Sequence, residues 1–173
     1  MSKLLTLFGL IFIVSSFNSA RASHLNSGEI YYEYLGSDQY RITLVVYRDC
    51  LSTGAQLDNP LALGVFDAQT NTLFQSVMVP SLNPVDTVPF SILCDTVLGI
   101  NGCWQRQTYQ TVLTLPANPD GYIVTYQRCC VIPAAMNIQN SSDFGFTLST
   151  TINGTNSSAP STVALILRKN LRW

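Results

Sequence analysis

The feature that most constrains the fold is a two-residue alternation of apolar and polar side chains in short segments. In residues 40–47, Ile42, Leu44 and Val46 share one face, and the residues between them share the other. A period of two is typical of a half-buried β-strand, whereas an amphipathic helix has a period of 3.6. No segment of the chain shows convincing helical periodicity. The sequence therefore predicts an all-β protein.

The predicted strands recur roughly every 10 to 15 residues, with Gly, Pro, Asn and Asp between them. Seven to nine short strands spaced in this way are typical of an antiparallel β-sandwich. We expect an immunoglobulin-like architecture with disulfide bonds, and its longest loops at residues 81–89 and 95–102. The strands are predicted at residues 29–35, 40–47, 61–68, 72–79, 108–115, 121–130 and 144–152.

The first 22 residues have the pattern of a secretory signal peptide. Lys3 gives a basic start, residues 4–17 are nearly all apolar, and Ala20-Arg21-Ala22 fits the small-x-small cleavage rule. The apolar run of roughly 14 residues is shorter than the ~20 that a membrane-spanning helix needs. We expect cleavage after Ala22, no membrane span afterwards, and a mature protein that is secreted or held at the cell surface.

The mature chain is expected to carry one domain over residues 23–158. Residues 159–173 form a divergent tail, in which the apolar residues 162–167 precede a basic end. This tail is either a final strand with basic residues or the point at which a longer domain is interrupted. The formal net charge of −1 becomes −3 when Lys3 and Arg21 leave with the signal. An acidic chain lacks the basic stripe of nucleic-acid-binding proteins, so nucleic acid is not an expected partner.

The chain has five cysteines, so one has no partner when the others are paired. Cys94 and Cys103 are nine residues apart across a glycine-containing loop, and we predict that they form a local bridge. Cys129 and Cys130 end a predicted strand and therefore point to opposite faces. We predict that one of these two pairs with Cys50. The cysteines lack the Cys-x2-Cys spacing of zinc sites, and export favours disulfides.

The chain has one histidine, His24, and this excludes most catalytic constellations. His24 lies two residues after the predicted cleavage site, so no Ser-His or Cys-His pair is expected. Glu29 and Glu33, on one face of a strand, are about 13 Å apart, beyond the ~5 to 9.5 Å that separates glycosidase carboxylates. We therefore predict no catalytic residue, no metal and no cofactor, and a secreted hydrolase is the least favoured function.

No lysine occurs in residues 23–167, where every basic residue is an arginine. We predict that Arg48 and Arg128 form partly buried ion pairs with Asp49, Asp58 or Asp67, because arginine binds carboxylates in a bidentate manner. The functional alternative is a site for a carboxylate or carbohydrate ligand. Calcium is a further alternative, but there is no Asp-x-Asp-x-Asp run, and isolated aspartates usually serve turns. The side chains considered for calcium are Asp49, Asp58, Asn59, Asp67 and Asp95.

Several strings in the mature chain together resemble one family. Among them are Gly28-Glu29-Ile30-Tyr31-Tyr32, Tyr47-Arg48-Asp49-Cys50, Asp58-Asn59-Pro60 and Tyr126-Gln127-Arg128-Cys129-Cys130. The others are Ser23-His24, Leu115-Pro116, Gly121-Tyr122 and Asn137-Ile138. In combination they resemble a module found at the N-terminus of large secreted surface proteins of Bacteroidota. These proteins are named gliding-motility-associated C-terminal domain proteins, and they often contain PKD or other immunoglobulin-like repeats. The resemblance covers residues 23–158. The chain departs from it at Val131-Ile132 and after residue 158, as expected of a truncated or frameshifted reading frame.

The resemblance implies a role in adhesion or surface structure and supplies no catalytic residue. It also implies O-glycosylation at Asp-Ser/Thr-apolar triplets, which makes Thr87 and Thr96 candidate sites. The favoured function is thus a secreted, non-enzymatic module, linked to gliding or surface attachment, with a surface protein or a glycan as partner. The alternative is an extracellular module that binds a carbohydrate or another small ligand through loop aromatics such as Trp104, Tyr109 and Tyr122.

Overall fold

The computed structural model describes residues 25–52, 54–90, 102–129, 144–154 and 166–169, which form nine strands and no helix. A helix long and apolar enough to cross a membrane is accordingly absent from these ranges. The strands are β1 (Leu25–Gly36), β2 (Gln39–Asp49), β3 (Leu61–Asp67), β4 (Leu73–Val79), β5 (Asp86–Phe90), β6 (Gly102–Thr114), β7 (Tyr122–Cys129), β8 (Phe144–Ile152) and β9 (Ile166–Lys169).

The strands form two antiparallel sheets with the order β1-β2-β6-β5 and β4-β3-β7-β8-β9. The first sheet has the A-B-E-D order of immunoglobulin domains. In the second sheet, the first four strands have the order C′-C-F-G, and β9 adds a strand beyond G. The prediction of an all-β, immunoglobulin-like sandwich with a disulfide is confirmed.

The core lies between the inward faces of the two sheets. The alternation in β2 places Ile42, Leu44 and Val46 there, and all three are buried. Val124 of β7 and Leu148 of β8 supply part of the facing layer and are also buried. The apolar side chains that alternation assigns to one face are therefore the ones that hold the sheets together.

The connection between β6 and β7 contains a tyrosine corner. The Tyr122 hydroxyl, at the start of β7, donates to the carbonyl oxygen of Pro116 at 2.9 Å. Gly121 precedes it with a φ of +80°, a left-handed conformation that favours glycine. A Cβ at this position would also overlap the Ile152 backbone. A tyrosine bonded back across this crossover is a hallmark of immunoglobulin sandwiches.

Two stretches differ from the sequence expectation. Residues 81–89 were predicted to be a loop, but they include most of β5, which pairs with the first half of β6. Strand β6 itself starts at Gly102, six residues before the predicted start. Alternation misses the first part of β6 because Gln107, an inward residue, is a buried polar side chain that donates to the Asn83 carbonyl at 2.5 Å.

Strand β9 lies within the divergent tail. It pairs antiparallel with the first residues of β8, from Phe144↔Lys169 to Thr147↔Ile166. The tail therefore extends the second sheet by one strand.

Candidate functional site

The disulfide joins two neighbouring strands of the first sheet. Cys50 follows β2 and bonds to Cys103 near the start of β6, with a Cα–Cα distance of 5.6 Å. The register of these strands pairs Asp49 with Trp104, so the two cysteines form the next pair along the ladder. The Cys50 N–H also donates to the Cys103 carbonyl at 3.3 Å. The disulfide thus closes the end of the β2–β6 pair.

The predicted cysteine pairings are wrong. Cys103 was assigned to Cys94 and Cys50 to Cys129 or Cys130, but Cys50 and Cys103 bond to each other. The physical reason is that Cys103 lies inside β6, beside β2, and not in a loop. Cys129 is the last residue of β7 in the other sheet, whereas Cys94 and Cys130 lie outside the described residues.

Arg48 is the largest polar side chain in the core, with 1% of its surface exposed. It lies on the inward face of β2, beneath the loop that follows Cys50. Its Nε donates to the Ala55 carbonyl at 3.1 Å, and Nη2 donates to the Ser52 and Gly54 carbonyls at 2.6 and 2.9 Å. Nη1 donates to Gln105 Oε1 at 2.6 Å. The loop therefore folds around one guanidinium group.

The partners of Arg48 differ from the expected carboxylates. Asp49 is its neighbour in the strand and so points to the opposite face, where Oδ1 accepts the Leu51 N–H at 2.9 Å. Burial lowers the pKa of the Arg48 guanidinium, while the charge of Asp49 raises it. Arginine remains protonated in proteins, so the buried charge is compensated by carbonyl dipoles.

Arg128 holds the same loop from the second sheet. It extends from β7, donates from Nη2 to the Gln56 carbonyl at 2.7 Å, and forms an ion pair with Asp58 Oδ1 at 3.3 Å. Its Nη1 atom is buried, and no hydrogen-bond acceptor for it occurs among the described residues. Arg128 with Asp58 is the ion pair that the structure forms from the predicted candidates Arg48, Arg128, Asp49 and Asp58.

Asp58 connects this loop to both sheets. Its Oδ2 accepts the Tyr126 hydroxyl of β7 at 3.0 Å, and its backbone carbonyl accepts the Tyr109 hydroxyl of β6 at 2.5 Å. Burial, followed by the charge of Asp58, raises the pKa of Tyr109 to about 12 and that of Tyr126 still further. Both hydroxyls therefore stay protonated and donate. We call residues 50–52 and 54–60, held by these contacts, the braced loop.

The aspartates serve local structure at separate places. Asp67, at the far end of β3 from Asp58, accepts the Thr70 N–H at 2.8 Å and the Asn118 amide at 2.8 Å. The hydrogen bonds from Thr70 and Asn118 lower the pKa of Asp67. Within the described ranges, no group of three or more His, Cys, Asp or Glu side chains is placed to hold a metal ion.

A shallow depression of about 230 Å³ lies on the outer face of the first sheet. Its lining residues are Ser27, Tyr47, Val88 and Trp104, and we call it the Trp104 depression. The side chains come from four adjacent strands, since Ser27 pairs with Tyr47 and Val88 with Trp104. Both aromatic side chains are partly exposed. The depression therefore offers an aromatic surface to solvent.

Charged groups surround the Trp104 depression. The Tyr47 hydroxyl donates to Glu29 Oε1 at 3.4 Å, and Arg106 forms an ion pair with Asp86 at 2.9 Å. Of the three aromatics expected to bind a sugar, only Trp104 has an exposed face, because Tyr109 and Tyr122 are buried. Tyr47 was not predicted, although the alternation of β2 assigns it to the outer face.

Two further candidate groups have different positions. Glu33 lies on the outer face of β1 and forms an ion pair with Arg41 at 2.5 Å. It is therefore a solvent-facing carboxylate with a partner in the neighbouring strand. Thr87 is exposed on β5, whereas Thr96 lies outside the described residues. O-glycosylation at either threonine stays a prediction.

Comparison of the chain with protein-family models, with curated proteins and with solved structures finds no match. The assignment of the fold rests on strand order and on the tyrosine corner. Function is therefore inferred from the braced loop and from the Trp104 depression.

Proposed function

We propose that the chain is a secreted, non-enzymatic immunoglobulin-like module with a structural or adhesive role at the cell surface. The observation that carries this proposal is the convergence of three strings on one loop. Arg48 and Cys50, Asp58, and Tyr126 with Arg128 belong to strings far apart in sequence, yet all of them hold the braced loop. Buried polar groups here fix the shape of a surface loop.

The chemistry of the braced loop favours display over catalysis. The Arg48 donors and the Asp58 carboxylate are engaged by the protein itself. Leu51 and Gln56 project from the fixed backbone into solvent. A rigid loop on a sandwich scaffold suits recognition of another macromolecule, because little ordering cost remains on binding. The strings that carry the family resemblance support a surface protein as its setting.

Gene deletion in a host that carries an intact gene tests this proposal. We expect deletion to reduce surface attachment or gliding, and the wild-type gene to restore it. A Gln56→Lys gene changes the exposed side chain of the braced loop but retains the backbone carbonyl that Arg128 contacts, so it should restore the phenotype only in part. Gln69→Lys, at an exposed glutamine in the turn after β3, is the matched control. An unchanged phenotype after deletion contradicts the proposal.

The Trp104 depression favours carbohydrate binding as a second candidate function. An exposed aromatic ring next to a carboxylate and a hydroxyl offers one apolar surface and several hydrogen-bonding groups, as small-ligand sites do. We expect binding on a glycan array by the disulfide-bonded chain, lost in Trp104→Ala and retained in Tyr31→Ala, a partly exposed tyrosine elsewhere on β1. An array without binding, or equal binding by both variants, rejects this candidate.

A further inference from the structure

The edge strands of the two sheets differ in how they discourage pairing with other chains. Of the described strands, β1 and β5 lie at the edges of one sheet, and β4 and β9 at the edges of the other. Natural edge strands commonly contain charges, proline or bulges that block further pairing. The residues of this kind are Glu29 and Glu33 in β1, Asp86 and Pro89 in β5, and Arg168 and Lys169 in β9. Strand β4 contains neither charge nor proline, and its irregularity is the extra residue Phe74 near its start.

Strand β4 and the connection after it also expose apolar side chains. Leu73, Phe74 and Met78 are 58%, 48% and 60% exposed. Leu82 and Val85 follow in the connection to β5. Residues 73–85 thus hold five of the eight large apolar side chains that are exposed in the described part of the chain. Of these five, Met78 pairs with Ala62 of β3 and therefore lies along the regular β4 edge, whereas Phe74 packs against Tyr122.

The near absence of charge in this region limits the kind of partner that it can bind. From Asn59 to Val85 the only charged residue is Asp67, and its carboxylate accepts bonds from Thr70 and Asn118 at the hairpin turn. A charged partner strand would find no counter-charge along β4. A neutral, extended and apolar strand fits it, and β4 of a second copy has these properties. We propose that two copies of this chain associate through their β4 edges, which pair antiparallel about a two-fold axis.

The register within the sheet shows how two β4 strands fit together. Gln75–Val79 is the regular part of β4, because the ladder with β3 shifts between Val65 and Phe66. An axis at Val77 places Met78 of each copy opposite Ser76 of the other. Both side chains lie on the outer face, since they pair with Ala62 and Gly64 of β3. No like charges oppose each other, whereas an antiparallel pair of β1 strands centred on Tyr31 places Glu29 of each copy opposite Glu33 of the other.

The size of the contact predicts a weak, reversible dimer. With the axis at Val77, the five residues Gln75–Val79 pair, and at about 3.3 Å each they give an edge of roughly 17 Å. A contact of one strand from each copy falls below the ~1,200 Å² of a stable interface. We therefore expect a dissociation constant in the micromolar range, and a dimer that appears only as the concentration rises. This inference depends on the β4 edge and is independent of the proposed adhesive role.

Sedimentation velocity on the purified, disulfide-bonded chain over a range of concentrations measures the association. We expect Met78→Lys to raise the dissociation constant at least tenfold, because each copy then presents a lysine near the two-fold axis. Leu51→Lys is the matched control, since it puts the same charge at another exposed leucine, 72% exposed, on the braced loop. This control should dimerise like the wild type.

Hydrogen exchange on the wild type gives a second measurement that needs no variant. Amides of Gln75–Val79 should gain protection as the concentration rises, while those of β1 and β5 should not. A wild type that stays monomeric at millimolar concentration overturns the proposal. So does a dimer that Met78→Lys leaves intact, or protection of β4 that is already complete in the monomer, which would mean that another part of the chain covers this edge.

Discussion

Replacing Arg48 by methionine removes the guanidinium but keeps a long unbranched side chain in the same space. Four hydrogen bonds are lost, and three of them bind carbonyls of the braced loop. Each bond contributes about 0.5 to 1.5 kcal/mol net, which gives roughly 2 to 6 kcal/mol for the four. The variant also no longer buries a charge, which offsets part of this loss. We expect the free energy of unfolding to fall by about 3 kcal/mol.

Urea unfolding followed by tryptophan fluorescence measures this change. With a slope of about 2 kcal/mol/M, the midpoint should fall by about 1.5 M with no change of slope. Arg106→Met is the matched control, because this arginine is 46% exposed and its ion pair with Asp86 is a surface pair. Such pairs contribute at most about 1 kcal/mol. An Arg48→Met loss below 1 kcal/mol, or one equal to the control, would refute the reasoning.

Three further predictions concern the rest of the scaffold. The double variant Cys50→Ala/Cys103→Ala opens a covalent loop of 53 residues and should lose about 4 kcal/mol in urea unfolding; a loss below about 1 kcal/mol would contradict the loop-entropy argument. The free energy of unfolding of the wild type should fall above pH 10, because the pKa of a tyrosine in the unfolded chain is about 10 whereas the pKa of Tyr109 in the folded protein is about 12. Tyr109→Phe should weaken this pH dependence. Gly121→Ala should lower the melting temperature clearly more than Gly36→Ala, since both have positive φ but only Gly121 lacks space for a Cβ; equal shifts would contradict this.

The sequence predicts the fold where one face of a strand is purely apolar. Strand β2 and its alternation are the best example, since Ile42, Leu44 and Val46 are all inward. Strand β5 is missed because it is a short edge strand with Asp86 and Pro89. Five residues that include a charge and a proline offer too few alternating positions for a period of two to be recognised.

The candidate site is predicted in part. The strings with Arg48, Asp58 and Arg128 are recognised from sequence, but the bonds of Arg48 to carbonyls are not, because carbonyl groups are common to every residue. The pairing of Cys50 with Cys103 depends on the register of β2 against β6. A register between strands 53 residues apart is a property of the folded sheet, and the local sequence does not encode it.

The position of the disulfide has a mechanical consequence. Because Cys50 and Cys103 are linked, tension applied at the two ends of the chain passes from one cysteine to the other through the sulfur bridge. The stretch between them, residues 51–102, includes β3, β4 and β5 and is shielded from the load. Its extended length of roughly 180 Å cannot be pulled out while the bridge is intact. Under oxidising conditions the domain can therefore lengthen only through its outer segments, and reduction releases this hidden length.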